Sequence, residues 1–318
     1  MTEAKIELLR SFENLNKDNV DIAGGKGASL GEMTQAKIPV PPGFVVLSSA
    51  FDRFISETGI LADIESILNG VNHKDVASVD HASEKIQAII IGQDMPSDLN
   101  VGILDFFDKL GAKFVAVRSS ATSEDSADAA WAGQLDTYLN TTRANVLEQV
   151  KHCWASLFTP RAIFYRFEKG LHGEHISVAV VIQEMVQSEV SGVAFSVHPV
   201  TQDHNQLIIE AGLGLGEAIV SGQITPDSYI VQKDDLTLLD ISISEQSRAI
   251  VSKPEGGNEW KELGSEGEEQ KLSGKEIIEL AKLVIHIEQH YAFPCDIEWA
   301  MHKGVLYITQ SRPITTLG

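Results

Sequence analysis

Apolar positions recur along this chain with two periods, and each predicts a kind of element. Phe51, Phe54 and Ile55 share the spacing of one helical face, with Ser48 or Ser49 placed to cap it. Residues 60–112 read as helix in pieces, through Ile64, Ile67 and Leu68 and then Ile86, Ile89 and Ile90. Residues 144–168 carry a stripe of Val146, Val150, Trp154, Leu157 and Phe158 over one or two helices, and residues 277–290 form a further amphipathic helix. Between them lie strand-like runs at 44–47, 114–117, 135–139, 176–185, 192–195, from 208 and at 228–232, with a further strand and turn within residues 1–20. Residues 296–300 and 305–308 read as an antiparallel pair turning at His302-Lys303-Gly304. Its alternation sends Asp296 and Glu298 to one face and Ile297 and Trp299 to the other. Residues 253–275 show no periodicity and are expected as an exposed excursion. The fold class that follows is α+β.

Candidate chemistry concentrates in residues 114–140. The run 114–117 is expected to deliver Arg118 outward at a strand's end, and Ser119, Ser120, Ala121 and Thr122 to supply hydroxyl and N–H donors to a phosphate. Glu124, Asp125 and Asp128 could hold a cation, or Arg118 could pair with one of them in an ordinary loop. Lys26 stands among glycines in GGKG at a helix entry, a place suited to a phosphate, although the spacing is not that of a P-loop and the stretch taken alone reads first as a helix-entry turn with a solvated lysine. The glycines of IIEAGLGLGE resemble a phosphate loop only loosely. Asp296, Glu298 and Gln310 offer the oxygen ligands Mg²⁺ prefers, or else form a solvated acidic face. Gln183 and Glu184 end a buried strand where polar groups can read a ligand's edge, and His198 reads as a loop histidine.

Charge narrows the partners. Across 318 residues, 45 acidic against 25 basic side chains leave a net charge of -20, which argues against nucleic acid as a partner. Cys153 and Cys295 have no CxxC spacing and read as buried small hydrophobes of a reducing compartment. Neither a signal-like start nor an 18-residue apolar run is present, so a cytoplasmic protein without a membrane partner is expected.

Six ordered motifs, GGKGASLGEM, VPPGFVV, FVAVRSSATSEDSADAAWAGQLDTYLN, VIQEMVQSEVSGVAFS, EAGLGLGEAIVSGQITPDSY and DIEWAMHKGVLYITQSRPIT, together resemble the nucleotide-binding domain of the dikinases. That family includes phosphoenolpyruvate synthase, pyruvate phosphate dikinase and rifampicin phosphotransferase. The resemblance implies an ATP-grasp-like fold of two lobes, residues 1–182 and 183–318, clasping ATP. It implies that Lys26 and Arg118 engage the ATP phosphates, that Gly133 and Thr137 line the phosphate side, and that Gln183 meets the adenine. It further implies that Glu298 and Gln310 hold Mg²⁺ and that Arg312 neutralises the transferring phosphate. Such a set suits phosphoryl transfer, which is mostly positioning and charge neutralisation. His198 departs from the family pattern, where an acidic residue is expected.

Family enzymes pass the phosphoryl group to a histidine on a carrier domain, and no histidine here has that domain's Gly-Gly-x-x-Ser-His context. The resemblance therefore implies a donor domain whose phosphohistidine and pyruvate-binding partners lie in trans or in a longer parent chain. A non-catalytic or regulatory ATP-binding module and the ATP domain of a rifampicin-type phosphotransferase are the alternatives. A carboxylate-amine ligase fits the fold but not the motifs.

Overall fold

The computed structural model describes residues 7–122, 125–126, 129–130, 136–171, 173 and 176–315, with backbone alone at 125–126 and 129–130. The chain forms two compact units, one of residues 1–32 and 42–185 and the other of residues 33–41 and 186–318.

In the first unit, β1 (Leu9–Ser11), α1 (Val20–Gln35) and β2 (Gly43–Val46) lead into α2 (Ser48–Thr58), α3 (Leu61–Asn69), α4 (Val76–Gly92) and α5 (Ser97–Leu110). Then follow β3 (Val115–Ala121), the two-residue strands β4 (Asp125–Ser126) and β5 (Ala129–Ala130), β6 (Thr137–Thr141), α6 (Val146–Ala155), α7 (Pro160–Glu168) and β7 (Val178–Glu184). Five strands make an antiparallel sheet in the order β1-β2-β7-β3-β6. Its residues alternate cleanly. Phe44, Val46, Val115, Val117, Ala121, Val178, Val180 and Ile182 join one core with Phe51 and Phe54 of α2, Ile86 and Ile90 of α4, and Val150 and Trp154 of α6. Burial of such side chains contributes on the order of 1.5–3 kcal/mol each. Ala116, Arg118 and Ser120 fall on the opposite face, because successive residues of a strand point to opposite sides.

Local signals explain most boundaries. Thr159 accepts from the Ala162 N–H ahead of Pro160, and Asp75 from that of Ala77, so α7 and α4 start on side-chain caps. Neither Ser48 nor Ser49 caps α2, contrary to expectation. Their hydroxyls donate instead to the Asp21 and Glu7 carbonyls.

The second unit contains β8 (Val190–Phe195), β9 (Gln206–Leu213), α8 (Glu217–Val220), β10 (Asp227–Gln232), β11 (Leu238–Ser242), β12 (Arg248–Ser252), β13 (Asn258–Glu262), α9 (Gly274–Tyr291), β14 (Cys295–His302) and β15 (Val305–Pro313). Six strands form an antiparallel sheet ordered β11-β10-β9-β8-β14-β15. Helix α9 opens on a capping box of Ser273 and Glu276 and buries Ile277, Leu280, Ala281, Val284 and Ile287. It packs on β9 and β14, on the face that carries Ile209, Ile297 and Trp299. The turn between β14 and β15 places Lys303 and Gly304 at φ of 52° and 74°, the mirror-image geometry that suits strand twist. Among the described residues, no helix is long and apolar enough to cross a membrane.

The excursion expected at 253–275 is mostly exposed as expected, but its lack of order is corrected. Strands β12 and β13 pair as a hairpin, with Arg248 stacked 4.1 Å over the Trp260 ring. Its return limb ends in a buried polar knot. The Lys271 ammonium lies 3.2 Å from Asp227 and donates to the carbonyls of Ser244 and Gly267. Asp227 also accepts from the Tyr229 hydroxyl and from the Ser244 and Lys271 N–H groups. Both charged side chains are inaccessible to solvent. An anchor made of polar groups has no hydrophobic period, which is why the segment reads as unstructured.

Lys271→Met should destabilise the chain by about 3–5 kcal/mol, because it leaves the Asp227 carboxylate buried without its cation. Urea unfolding midpoints check this, with Arg143→Ala as the control. The Arg143–Asp108 pair is exposed, so its loss should leave the midpoint unmoved.

Candidate functional site

The first unit brings four of its sequence-predicted residues to one face of its sheet. Arg118 pairs in register with Val181 and Thr137, and Gln183 with Ala116, so Arg118, Thr137 and Gln183 emerge on the side away from the helical core. Helix α1 carries Lys26 to the same face, where Gly27 meets Val45 of β2. Arg118 corrects one expectation. It lies in mid-strand, since β3 continues to Ala121, and it is only 7% exposed. A guanidinium so buried requires hydrogen-bond acceptors. Its Nη1 donates to Gln183 Oε1 at 3.3 Å. Thr137 is exposed at the start of β6. Gly133 lies outside the described residues, as do Glu124 and Asp128.

All four small residues after Arg118 have hydroxyls or methyls turned to internal use. Ser119 donates toward the Asp136 carbonyl at 3.1 Å and meets Ser156 at 3.0 Å, while Thr122 donates to the Ser177 carbonyl. Ala121 joins the core. Ser120 accepts from the N–H groups of Lys26 and Gly27.

The glycines around Lys26 also face the protein. A Cβ on Gly24 would stand 2.2 Å from Ser120 Oγ, one on Gly27 3.0 Å from Val45, and one on Gly31 2.4 Å from Leu15. EAGLGLGE behaves likewise: the N–H groups of Leu213, Gly214 and Leu215 go to Gln246 Oε1, the Glu189 carbonyl and the Ile250 carbonyl. A phosphate cradle needs N–H groups without internal acceptors. That loop is a seat for β12. Gln246, which sequence reasoning passed over, returns its amide to the Leu213 and Arg248 carbonyls.

The second unit repeats the arrangement of one apolar and one polar face. Glu298 stands opposite Gln310 across β14 and β15, and opposite Val193, which in turn faces Glu210 of β9. Asp296 stands opposite Arg312. These five residues share the face away from α9, with Gln310 buried, Asp296, Glu298 and Glu210 half-buried, and Arg312 exposed. The ladder slips by one residue between Glu298 and Trp299, a bulge beside the candidate ligands. Asp296 is committed to Arg312, accepting from Nε at 2.8 Å and lying 2.7 Å from Nη2. Its place on this face is thus shared with the guanidinium.

Burial raises the Asp296 carboxyl above its ordinary value, with Arg312 pulling the other way. Burial, and secondly the Asp296 charge, raise Glu210, which sequence reasoning did not single out. Among the described residues no group of three or more His, Cys, Asp or Glu side chains is assembled to hold a metal. Glu298 and Gln310 offer two oxygen donors. That fits Mg²⁺, which is bound by one or two protein ligands together with substrate phosphates and water.

Both cysteines are buried, and burial pushes each thiol up to about 12, as expected of inert hydrophobes. His198 is structural, its Nδ1 accepting from the Val200 and Thr201 N–H groups.

Lys26 and Arg118 in the first unit, and Glu298, Gln310 and Arg312 in the second, are side chains of the kinds that phosphorylated ligands and their metals require. Residues 20–318 match the family described as pyruvate phosphate dikinase, AMP/ATP-binding domain, and the chain belongs to that family. It is 46% identical over 96% of its length to a probable phosphoenolpyruvate synthase of Methanocaldococcus jannaschii, of which the match covers 26%. A probable phosphoenolpyruvate synthase of Methanothermobacter thermautotrophicus is 43% identical over 98% of the chain and 47% of that protein. The phosphoenolpyruvate synthase of Pyrococcus furiosus is 40% identical over 97% and 44% respectively. The chain therefore spans between a quarter and a half of these relatives.

Because the folded-state pKa of Glu210 is raised, its charge opposes folding at neutral pH, and the penalty disappears as pH falls through that raised value. Glu210→Gln should accordingly raise the urea midpoint at pH 7. The gain should shrink on acidification and vanish below the ordinary glutamate value. Unfolding curves from pH 7 down to pH 4 measure it.

Proposed function

We propose that this chain is an ATP-grasp-like donor domain that binds Mg-ATP and gives a phosphoryl group to a histidine of a carrier domain. Phosphoenolpyruvate synthesis from pyruvate is the overall reaction to which it contributes. The observation that carries this reading is the segregation of Lys26 of α1 and of Arg118, Thr137 and Gln183 to the face of one sheet away from its helical core, and of Glu298, Gln310 and Arg312 to the face of the other away from α9. Family membership and the names of the relatives support it.

In this reading Lys26 and Arg118 bind the ATP phosphates and Gly133 and Thr137 line them. Gln183 contacts the adenine while orienting Arg118 through its Oε1. Glu298 and Gln310 hold Mg²⁺, which, when bound, neutralises phosphate charge. Arg312 stabilises charge on the transferring group, with Asp296 fixing the guanidinium plane. The carrier and pyruvate-binding domains are its partners.

Calorimetric titration should show binding of ATP in the presence of Mg²⁺. Supplying a family carrier domain as a separate polypeptide should give Mg²⁺-dependent labelling of its histidine from radiolabelled ATP. Glu298→Ala should slow that labelling by about a hundredfold or more, the scale for one preorganised charge-stabilising group. Its effect on ATP affinity should be much smaller. Binding without any labelling would mark a nucleotide-binding module, and absence of binding would end the proposal.

A further inference from the structure

We propose that Ser120 is a positioning residue for the phosphate-binding cations, acting through Lys26 to hold it in fixed relation to Arg118. This rests on the reading of Lys26 and Arg118 as the groups that bind the ATP phosphates.

Helix α1 is interrupted at Gly24, whose φ of 67° and ψ of 172° are not helical. Its helical turns resume after Gly24, so Lys26 and Gly27 stand in a first turn, whose N–H groups have no acceptor within the helix. Ser120 supplies one. Its Oγ accepts from Lys26 N at 3.2 Å and from Gly27 N at 3.4 Å, and the side chain is fully buried. The two elements are pressed together so closely that a Cβ on Gly24 would stand 2.4 Å from the Ser120 carbonyl oxygen. Gly24 is therefore required twice, once by its left-handed backbone and once by this contact.

Ser120 lies two residues beyond Arg118 on the same face of β3. Strand β3 is the next-to-edge strand, paired with β6 on one side and β7 on the other, so its backbone is held from both directions. One hydroxyl thus ties the main chain of Lys26 to the strand that carries Arg118. These N–H groups are consumed by Ser120, so Lys26 serves a phosphate through its ammonium and not through a main-chain cradle. An ammonium on a four-carbon stem is a mobile point charge, and its effect on a phosphate depends on where its Cα is held. Loosening the Ser120 contact should cost phosphate binding while sparing adenosine.

The test is a double-mutant cycle of Ser120→Ala and Lys26→Met, read as dissociation constants for Mg-ATP and, separately, for adenosine. Ser120→Ala should weaken Mg-ATP by about tenfold, the scale of coupling between residues in direct contact. Adenosine affinity should stay within about twofold, and in the Lys26→Met background Ser120→Ala should add almost nothing. Ser120→Thr, which keeps the hydroxyl, should bind Mg-ATP nearly as the wild type does. Equal weakening of both ligands, or full additivity with Lys26→Met, would show that Ser120 supports the fold generally and overturn the assignment. A threonine variant as weak as the alanine variant would overturn it too, and keeps the question decidable should the alanine variant not fold. Wild-type chain that binds no Mg-ATP would end the nucleotide reading and this role with it. Wild-type binding matched by Ser120→Ala would end this role alone.

Discussion

A β-strand turns its side chains alternately to two sides, and in each unit of this chain one side of the sheet is sealed by helices. In the first unit that side is filled by Val115, Val117, Val180 and Ile182 against α2, α4 and α6. In the second it is filled by Ile209, Ile297 and Trp299 beneath α9. The polar groups are left the other side, because a charge placed one residue along would have to enter a close-packed core. The same alternation that makes the core therefore assembles Arg118, Thr137 and Gln183 on one sheet, and Asp296, Glu298, Gln310 and Arg312 on the other. A one-residue slip of β3 would turn Arg118 toward the core, and one of β14 would do the same to Asp296 and Glu298. Such slips are suppressed by the antiparallel partners on both sides of each strand.

Alternation is written in the sequence, and so this much was legible there. The period of residues 296–300 placed Asp296 and Glu298 together before any coordinates, and the stripes at 146–158 and 277–287 marked the helices that seal the sheets. What was not legible has a common physical cause. Contacts between residues distant in the chain leave no period, and the Lys271–Asp227 knot, joined across 44 positions, turned an apparently featureless excursion into an anchored hairpin. Arg118 was misjudged for a related reason. The small residues after it read as a loop, whereas β7 pairs with Ser119, Ser120 and Ala121 and holds them extended.

The glycines carry a similar lesson. Clusters of glycine suggest main chain exposed to a phosphate, yet at Gly24 and Gly27 of GGKG and at Gly212 and Gly214 of GLGLG the small residue is demanded by neighbouring protein atoms. The discriminating quantity is the fate of the adjacent N–H groups. At Lys26 and Gly27 they go to Ser120, and at Leu213, Gly214 and Leu215 to Gln246, Glu189 and Ile250. Ligand-facing and protein-facing glycines are indistinguishable by spacing alone, and only the hydrogen-bond partners separate them.

Electrostatics then assigns different tasks to the two polar faces. With a net charge of -20, the chain as a whole repels a polyphosphate, and attraction must come from locally placed cations. Under the proposed reading, Lys26 and Arg118 provide them in the first unit. The second presents Glu210, Asp296 and Glu298 with Arg312 as its cation, and burial raises the first two carboxyls because their charges are imperfectly solvated. A face in that condition is a poor surface for phosphate and a favourable one for a divalent cation. Under the proposed reading, that difference makes Mg²⁺ a requirement for the second face to engage a nucleotide, since only with the metal does its field change sign. Asp296 meanwhile holds Arg312 by both Nε and Nη2, which fixes the plane of its guanidinium on that face.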